Sequence, residues 1–276
     1  MRTTLIALVP LLLAAGCDSA ADMSGLEALE ALGQVDQSAR GEQATDEVVE
    51  VSTDFTIGDA LASAAQTIAD WWDVQAPCTE VSLADNVLTV DYGTLGDACV
   101  WNGHTYAGVN TMTFQSTTPG DLEVLHSWNG FTNGEVTVDG GATVTWSGED
   151  LTRRVETEHT WTEVDGELTV DVVGDHVTGP IDASVPWWES GFTLDGDRSW
   201  TSEGEEWSLV MTGLEWRLVD AAPEIGSIDV VAPSGKSLSI VYARVDDSTI
   251  SATLVGVRGG DRVYHINQLG IASEAE

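Results

Sequence analysis

Residues 122–161 read LEVLHSWNGFTNGEVTVDGGATVTWSGEDLTRRVETEHTW and hold three period-two runs: Leu122-Val124-His126-Trp128, Ala142-Val144-Trp146 and Val155-Thr157-His159-Trp161. Alternation of this kind puts every second side chain on one face of a pleated strand, so each run predicts a strand with one apolar face. Asn129-Gly130, Asn133-Gly134 and Asp139-Gly140 lie between or beside them. Such dipeptides tolerate the positive φ of tight hairpin turns, which makes the expected pairing antiparallel.

The same grammar extends in both directions, with Leu88-Val90-Tyr92, Trp207-Leu209-Met211 and Leu238-Ile240-Tyr242-Arg244 as runs and Asn102-Gly103, Asp165-Gly166 and Asp195-Gly196 as turns. A weak internal repeat is visible: Val136-Thr137-Val138-Asp139-Gly140 leads to Trp146 and Trp161, as Phe192-Thr193-Leu194-Asp195-Gly196 leads to Trp200 and Trp216. It suggests a meander extended by similar hairpins. No long helical pattern separates the strands, which excludes a parallel α/β sheet. The expected fold is mainly β, an antiparallel meander sheet, twisted or partly closed, with one N-terminal amphipathic helix. That helix is marked by Ile57, Leu61, Ala64, Ala65, Ile68 and Trp72 on one face, and Pro77 stops it. Trp71-Trp72 is expected to press its end onto the sheet rather than to serve as a ligand platform.

The front of the chain has a different logic. Arg2 supplies a positive charge, an apolar run from Leu5 to Leu13 is broken only by Pro10, and Ala14-Ala15-Gly16-Cys17 follows. This pattern predicts a lipoprotein signal peptide over residues 1–16, with Cys17 acylated by palmitate-type chains as the first residue of the mature protein. The run falls short of the roughly 20 apolar residues of a membrane-spanning helix. Two acyl chains anchor a protein almost permanently, so the expected partner is a membrane, reached through Cys17. Asp18 bears on sorting; the expected location is the cell envelope, at the outer membrane or periplasmic face in preference to the inner membrane. Residues 17–54 carry ten Asp and Glu with one Arg and no aromatic residue. They are read as an acidic tether in which Leu26, Leu29 and Leu32 allow a short helix ending at Gly33. The β-rich domain is expected over 55–270, with a C-terminal tail at 271–276.

The chain of 276 residues has 46 Asp and Glu against ten Lys and Arg, a formal charge of −36, and Lys236 is its only lysine. Phosphate binding needs clustered cations, so a sequence-general nucleic-acid partner is excluded. The acidity is read as a general surface property in preference to a cation-binding face, because the carboxylates are spread along the chain. Apart from Cys17, Cys78 and Cys99 are the only cysteines. In an exported protein they are expected to pair as a disulfide.

Motifs for chemistry are sparse. Gly-x-Ser-x-Gly is absent. Gly235-Lys236-Ser237 ends like a phosphate-binding loop, but Val230 stands where that loop needs glycine, so Pro233-Ser234-Gly235 reads as a hairpin turn. The five histidines His104, His126, His159, His176 and His265 lack zinc spacing, and His126 and His159 are in phase with Trp128 and Trp161. Asp195-Gly196-Asp197, Asp246-Asp247, Glu203 and Glu205-Glu206 follow no calcium-loop pattern and are read as solvated turns. No catalytic, cofactor or metal residue is therefore assigned. Trp187-Trp188, after Pro186, is the one speculative ligand platform, for the sugar rings of a glycan, and the remaining tryptophans are expected to fill a thin core.

Leu88-Thr89-Val90-Asp91-Tyr92-Gly93, Cys99, Asn102-Gly103, Tyr106-Ala107-Gly108, Arg198-Ser199-Trp200 and Pro233-Ser234-Gly235-Lys236-Ser237 together resemble a family of β-rich bacterial lipoproteins of the myxobacterial type, over most of residues 57–267. The resemblance implies a lipid-anchored export product and carries over no site residue. The function expected is a non-enzymatic structural or binding role in the cell envelope. The alternatives are a carrier of an apolar ligand, a glycan-binding module, and a hydrolase of envelope polymers, which would need converging carboxylates.

Overall fold

The computed structural model describes residues 22–54, 61–101, 103–116, 122–185 and 187–275. The signal peptide, Cys17, Asp18 and Ile57 lie outside them. Three helices come first: α1 (Gly25–Ser38), α2 (Arg40–Asp54) and α3 (Leu61–Gln75). Strands β1 (Glu80–Ala84), β2 (Val87–Asp91), β3 (Cys99–Trp101), β4 (His104–Gln115), β5 (Leu122–Thr132), β6 (Val136–Ser147) and β7 (Thr152–Glu163) follow. After β8 (Thr169–Pro180) and a short helix α4 (Trp187–Ser190) come β9 (Phe192–Ser202), β10 (Glu205–Trp216), β11 (Ile225–Val231) and β12 (Ser237–Asp246). The chain closes with β13 (Thr249–Val255), β14 (Arg262–Asn267) and β15 (Ala272–Glu274). The expectation of a mainly β, antiparallel meander holds: the strands hydrogen-bond in chain order, and β3 alone leaves the path to pair with β4. The described residues divide into two compact units, the first within 22–38, 176–200 and 204–275, the second within 39–175 and 201–203.

In the second unit α3 is the helix expected before the sheet. Ala64, Ala65, Ile68 and Trp72 are buried, as their spacing requires. The Trp72 ring meets Trp71, Tyr92 and Trp101 at centroid distances of 5.0, 5.7 and 5.0 Å. Tyr92 in turn packs on Phe131 at 5.3 Å, so the Trp72 ring belongs to an aromatic core. Cys78 and Cys99 form the expected disulfide, with Cα atoms 5.2 Å apart and 21 residues between them in sequence. It ties the end of α3 to β3, and closing a loop of that length stabilises on the order of 3 kcal/mol.

The acidic segment is corrected by the structure. Residues 25–54 are not a solvated tether but two packed helices. Leu26, expected on the apolar face, is 80% exposed, and the buried strip is Ala28, Ala31, Val35 and Ser38. Small side chains at helical spacing let the helix backbone lie close to its support, and the acids take the other face. In the first unit α1 is fixed at its start by a capping box: Ser24 N–H donates to Glu27 Oε2 at 2.7 Å, and Glu27 N–H to Ser24 Oγ at 3.3 Å. Farther along, Trp200 Nε1 donates to Gln34 Oε1 at 3.2 Å and Arg198 to Ser38 Oγ at 3.3 Å. In the second unit Ala44, Val48 and Val49 of α2 are buried, and Arg40 pairs with Glu163 at 2.7 Å. The tail is corrected as well, because Ala272–Glu274 adds strand β15 against β14.

Asn133-Gly134 and Asp165-Gly166 are turns as read, but Asn129-Gly130, Asp139-Gly140 and Asp195-Gly196 lie inside strands. They are parts of a recurring bulge. In the second unit Gly130 has φ 58° and donates its N–H to Asp139 Oδ1 at 2.7 Å, where the β5–β6 register shifts. In the first unit Gly213 has φ 55° and donates to Asp195 Oδ1 at 2.6 Å, beside a shift in the β10–β11 register. A third glycine completes each bulge. A Cβ on Gly108 would lie 2.1 Å from Gly130 O, and one on Gly226 would lie 2.4 Å from Gly213 O.

Candidate functional site

The most polar part of the core lies in the second unit, between α2 and strands β4–β7. Period-two alternation turns Asn110 and Met112 of β4, His126 and Trp128 of β5, and Thr157, His159 and Trp161 of β7 inward, and all are buried. The register aligns Asn110, Trp128, Gly140 and His159 in one row across four strands. Met112, His126, Ala142 and Thr157 form the next row. Because β6 offers only Gly140 and Ala142 here, the larger groups of β5 and β7 meet across it. His126 stacks on Trp128 at 6.1 Å, and Trp128 meets His159 edge-on at 6.2 Å. Helix α2 closes this face with a glycine: a Cβ on Gly41 would lie 2.5 Å from His159 Nε2 and 2.7 Å from Trp161 Cδ1.

Burial pushes the His126 imidazole down to about 3, and the charge of Arg153 pushes the same way. The ring is neutral throughout the physiological range. Both amide atoms of Asn110, the indole nitrogens of Trp128 and Trp161 and the hydroxyl of Thr157 are buried without a hydrogen-bond partner among the described residues. A buried amide left unsatisfied is costly, and Asn110 carries that cost at a fully buried position opposite Trp128. Asn110 lay outside the expected strand runs; the alternation Asn110, Met112, Phe114 is the signal that could have found it. Gly41 had no sequence signal, since its role depends on which strand α2 meets.

The first unit brings together a different set. Asp220 and Glu224, in the connection between β10 and β11, are buried. Glu224 accepts from Arg217 Nε at 2.9 Å and from Arg244 Nε at 2.5 Å, while Arg244 also donates to Asp220. Trp216 Nε1 donates to the Asp220 carbonyl at 3.0 Å. Burial works against the Arg244 charge, and the hydrogen bonds it donates to Glu224 and Asp220 outweigh it, so its pKa is raised. Two carboxylates facing two guanidinium groups form an ion lock on the connection. Arg244 stands in phase with the inward run Leu238-Ile240-Tyr242, which is the only sequence trace of the lock.

Lys236, the single lysine, donates to Glu27 Oε1 at 2.6 Å. That hydrogen bond, with those to Ser24, lowers the Glu27 carboxyl to about 2. The S-x-x-E spacing of Ser24 and Glu27 was the missed signal for α1. None of the nine tryptophans whose side chains are described is exposed. Trp187 and Trp188 open α4, and the placement of their rings lies outside the description. Among the described residues no group of three or more His, Cys, Asp or Glu is arranged to hold a metal ion, and no helix is long and apolar enough to cross a membrane. No protein-family model, curated protein or solved structure matches the chain.

Proposed function

We propose that the chain is a lipid-anchored protein of the cell envelope with a non-enzymatic structural or binding role, exposed at the outer membrane or on the periplasmic side. The observation that carries this reading is the sequence Met1 to Cys17: one cation, a short apolar run, then Ala-Ala-Gly before a cysteine. The strong acidity supports it indirectly, because a domain of formal charge −36 is repelled by anionic head groups and needs a covalent anchor to stay at a membrane. A second reading is a carrier that closes α2 over a small ligand with an apolar body. It rests on the buried amide of Asn110 beside the rings of Trp128 and His159.

The test is expression of the full chain in a bacterium fed an alkyne analogue of palmitate. The expected result is labelled protein in the membrane fraction and a mature N-terminus at Cys17, with label and membrane association both lost in Cys17→Ser. Unlabelled, freely soluble wild-type protein would sink the reading. Under the carrier reading, gently purified protein would also show an added mass in its intact spectrum.

A further inference from the structure

The first described residues stand five and six positions after the proposed anchor, Cys17. Met23 is fully buried and inserts beside the β13–β14 turn: its N–H donates to Gly256 O at 2.8 Å, and Arg258 N–H donates to Met23 O at 2.8 Å. The contact is a parallel bridge to Val257. Next to it the capping box and the Glu27–Lys236 pair pin the start of α1 to the β11–β12 turn. Hairpin turns alternate ends in an antiparallel meander, so turns 232–236 and 256–261 share one end of the first unit, and turn 247–248 lies at the other. We infer that the end formed by turns 232–236 and 256–261 is the surface this protein holds against the lipid bilayer. The inference rests on the reading of Cys17 as the lipid-bearing residue.

Magnitudes decide the orientation. Six residue steps separate Cys17 from Met23, and an extended residue spans at most ~3.3–3.6 Å, so the leash reaches roughly 20 Å. A tether running to residue 55 would have reached several times farther and imposed no orientation. Strand β12 has ten residues, Ser237–Asp246, and at ~3.3 Å per residue it carries the far end of the unit about 33 Å away. Inverting the unit would lift Met23 beyond the reach of its own leash.

The experiment couples the chain from Cys17 onward, through that thiol, to maleimide-bearing phosphatidylethanolamine in phosphatidylcholine vesicles. The geometry is thereby read whether or not cells acylate the cysteine. A donor dye is placed on an azide-bearing side chain at Ser234 or at Ser248, and acceptor lipids carry rhodamine head groups. Energy transfer is expected to be several-fold stronger from position 234 than from 248, and a flexible Gly/Ser insert of about 20 residues after Ala21 should erase the difference. Equal transfer from the two positions, or stronger transfer from 248, on the native leash overturns the inference. Acylation in cells is a separate readout, so loss of the lipoprotein reading and loss of the orientation are told apart.

Discussion

A neutral imidazole sealed beneath a helix makes His126 a sensor of acid. Its ordinary value of 6.5 is lowered to about 3 in the folded chain, so the unfolded chain binds the proton more readily. The His126 contribution is therefore fully present above pH 6.5 and is lost as pH falls toward 3, at up to ~1.4 kcal/mol per pH unit. In His126→Phe, which keeps a flat ring against Trp128, urea unfolding should lose that slope between these limits. An unchanged pH dependence would mean that the ring is not buried as described. Sequence phase placed His126 and His159 correctly inside the sheet, but the closing of that face depends on α2, whose packing no local pattern announced.

At the scale of the element, the repeated Asp-Gly step is a device for bending strands rather than for turning the chain. In the first bulge the two readings share a cause, since Gly130 and Gly140 both have positive φ, whereas in the second the positive φ falls on Gly213 and not on Gly196. Gly108→Ala and Gly226→Ala should each cost about 3 kcal/mol, because the new Cβ meets backbone atoms as well as an unfavourable φ. Gly235→Ala is the control: its φ is 76° but nothing lies within 4 Å of the added atom, so the expected loss is only about 1 kcal/mol. Denaturant midpoints that fall equally in all three variants would remove the close-approach argument. The Gly-Asp partnership was invisible in the sequence, for Gly130 and Asp139 meet only after β5 and β6 have found their register. What the residues did announce was positive φ at Gly130 and Gly140; that of Gly213 carried no such sign.

For the whole molecule, charge is the largest collective term. A formal charge of −36 repels itself, and salt shortens the screening length from ~10 Å at 0.1 M to ~3 Å at 1 M. The urea midpoint should therefore rise with NaCl, and CaCl₂ at matched ionic strength should raise it no further. A larger calcium increment would reveal a cation site, and a midpoint indifferent to salt would show that repulsion is not significant. By itself the sequence determined the mainly β class, the antiparallel pairing, the helix α3, the Cys78–Cys99 disulfide and the acidic character, because alternation, turn chemistry and composition act over a few residues. Only the tertiary structure decided that the acidic segment folds as α1 and α2, and that Asp139 and Asp195 lock bulges. It also decided that Arg244, with Arg217, pairs with two buried acids and that Met23 is built into the sheet. Each of these depends on partners from nine residues away, as for Asp139 and Gly130, to the far end of the chain, as for Met23 and Gly256, brought together by register and packing that no local pattern encodes.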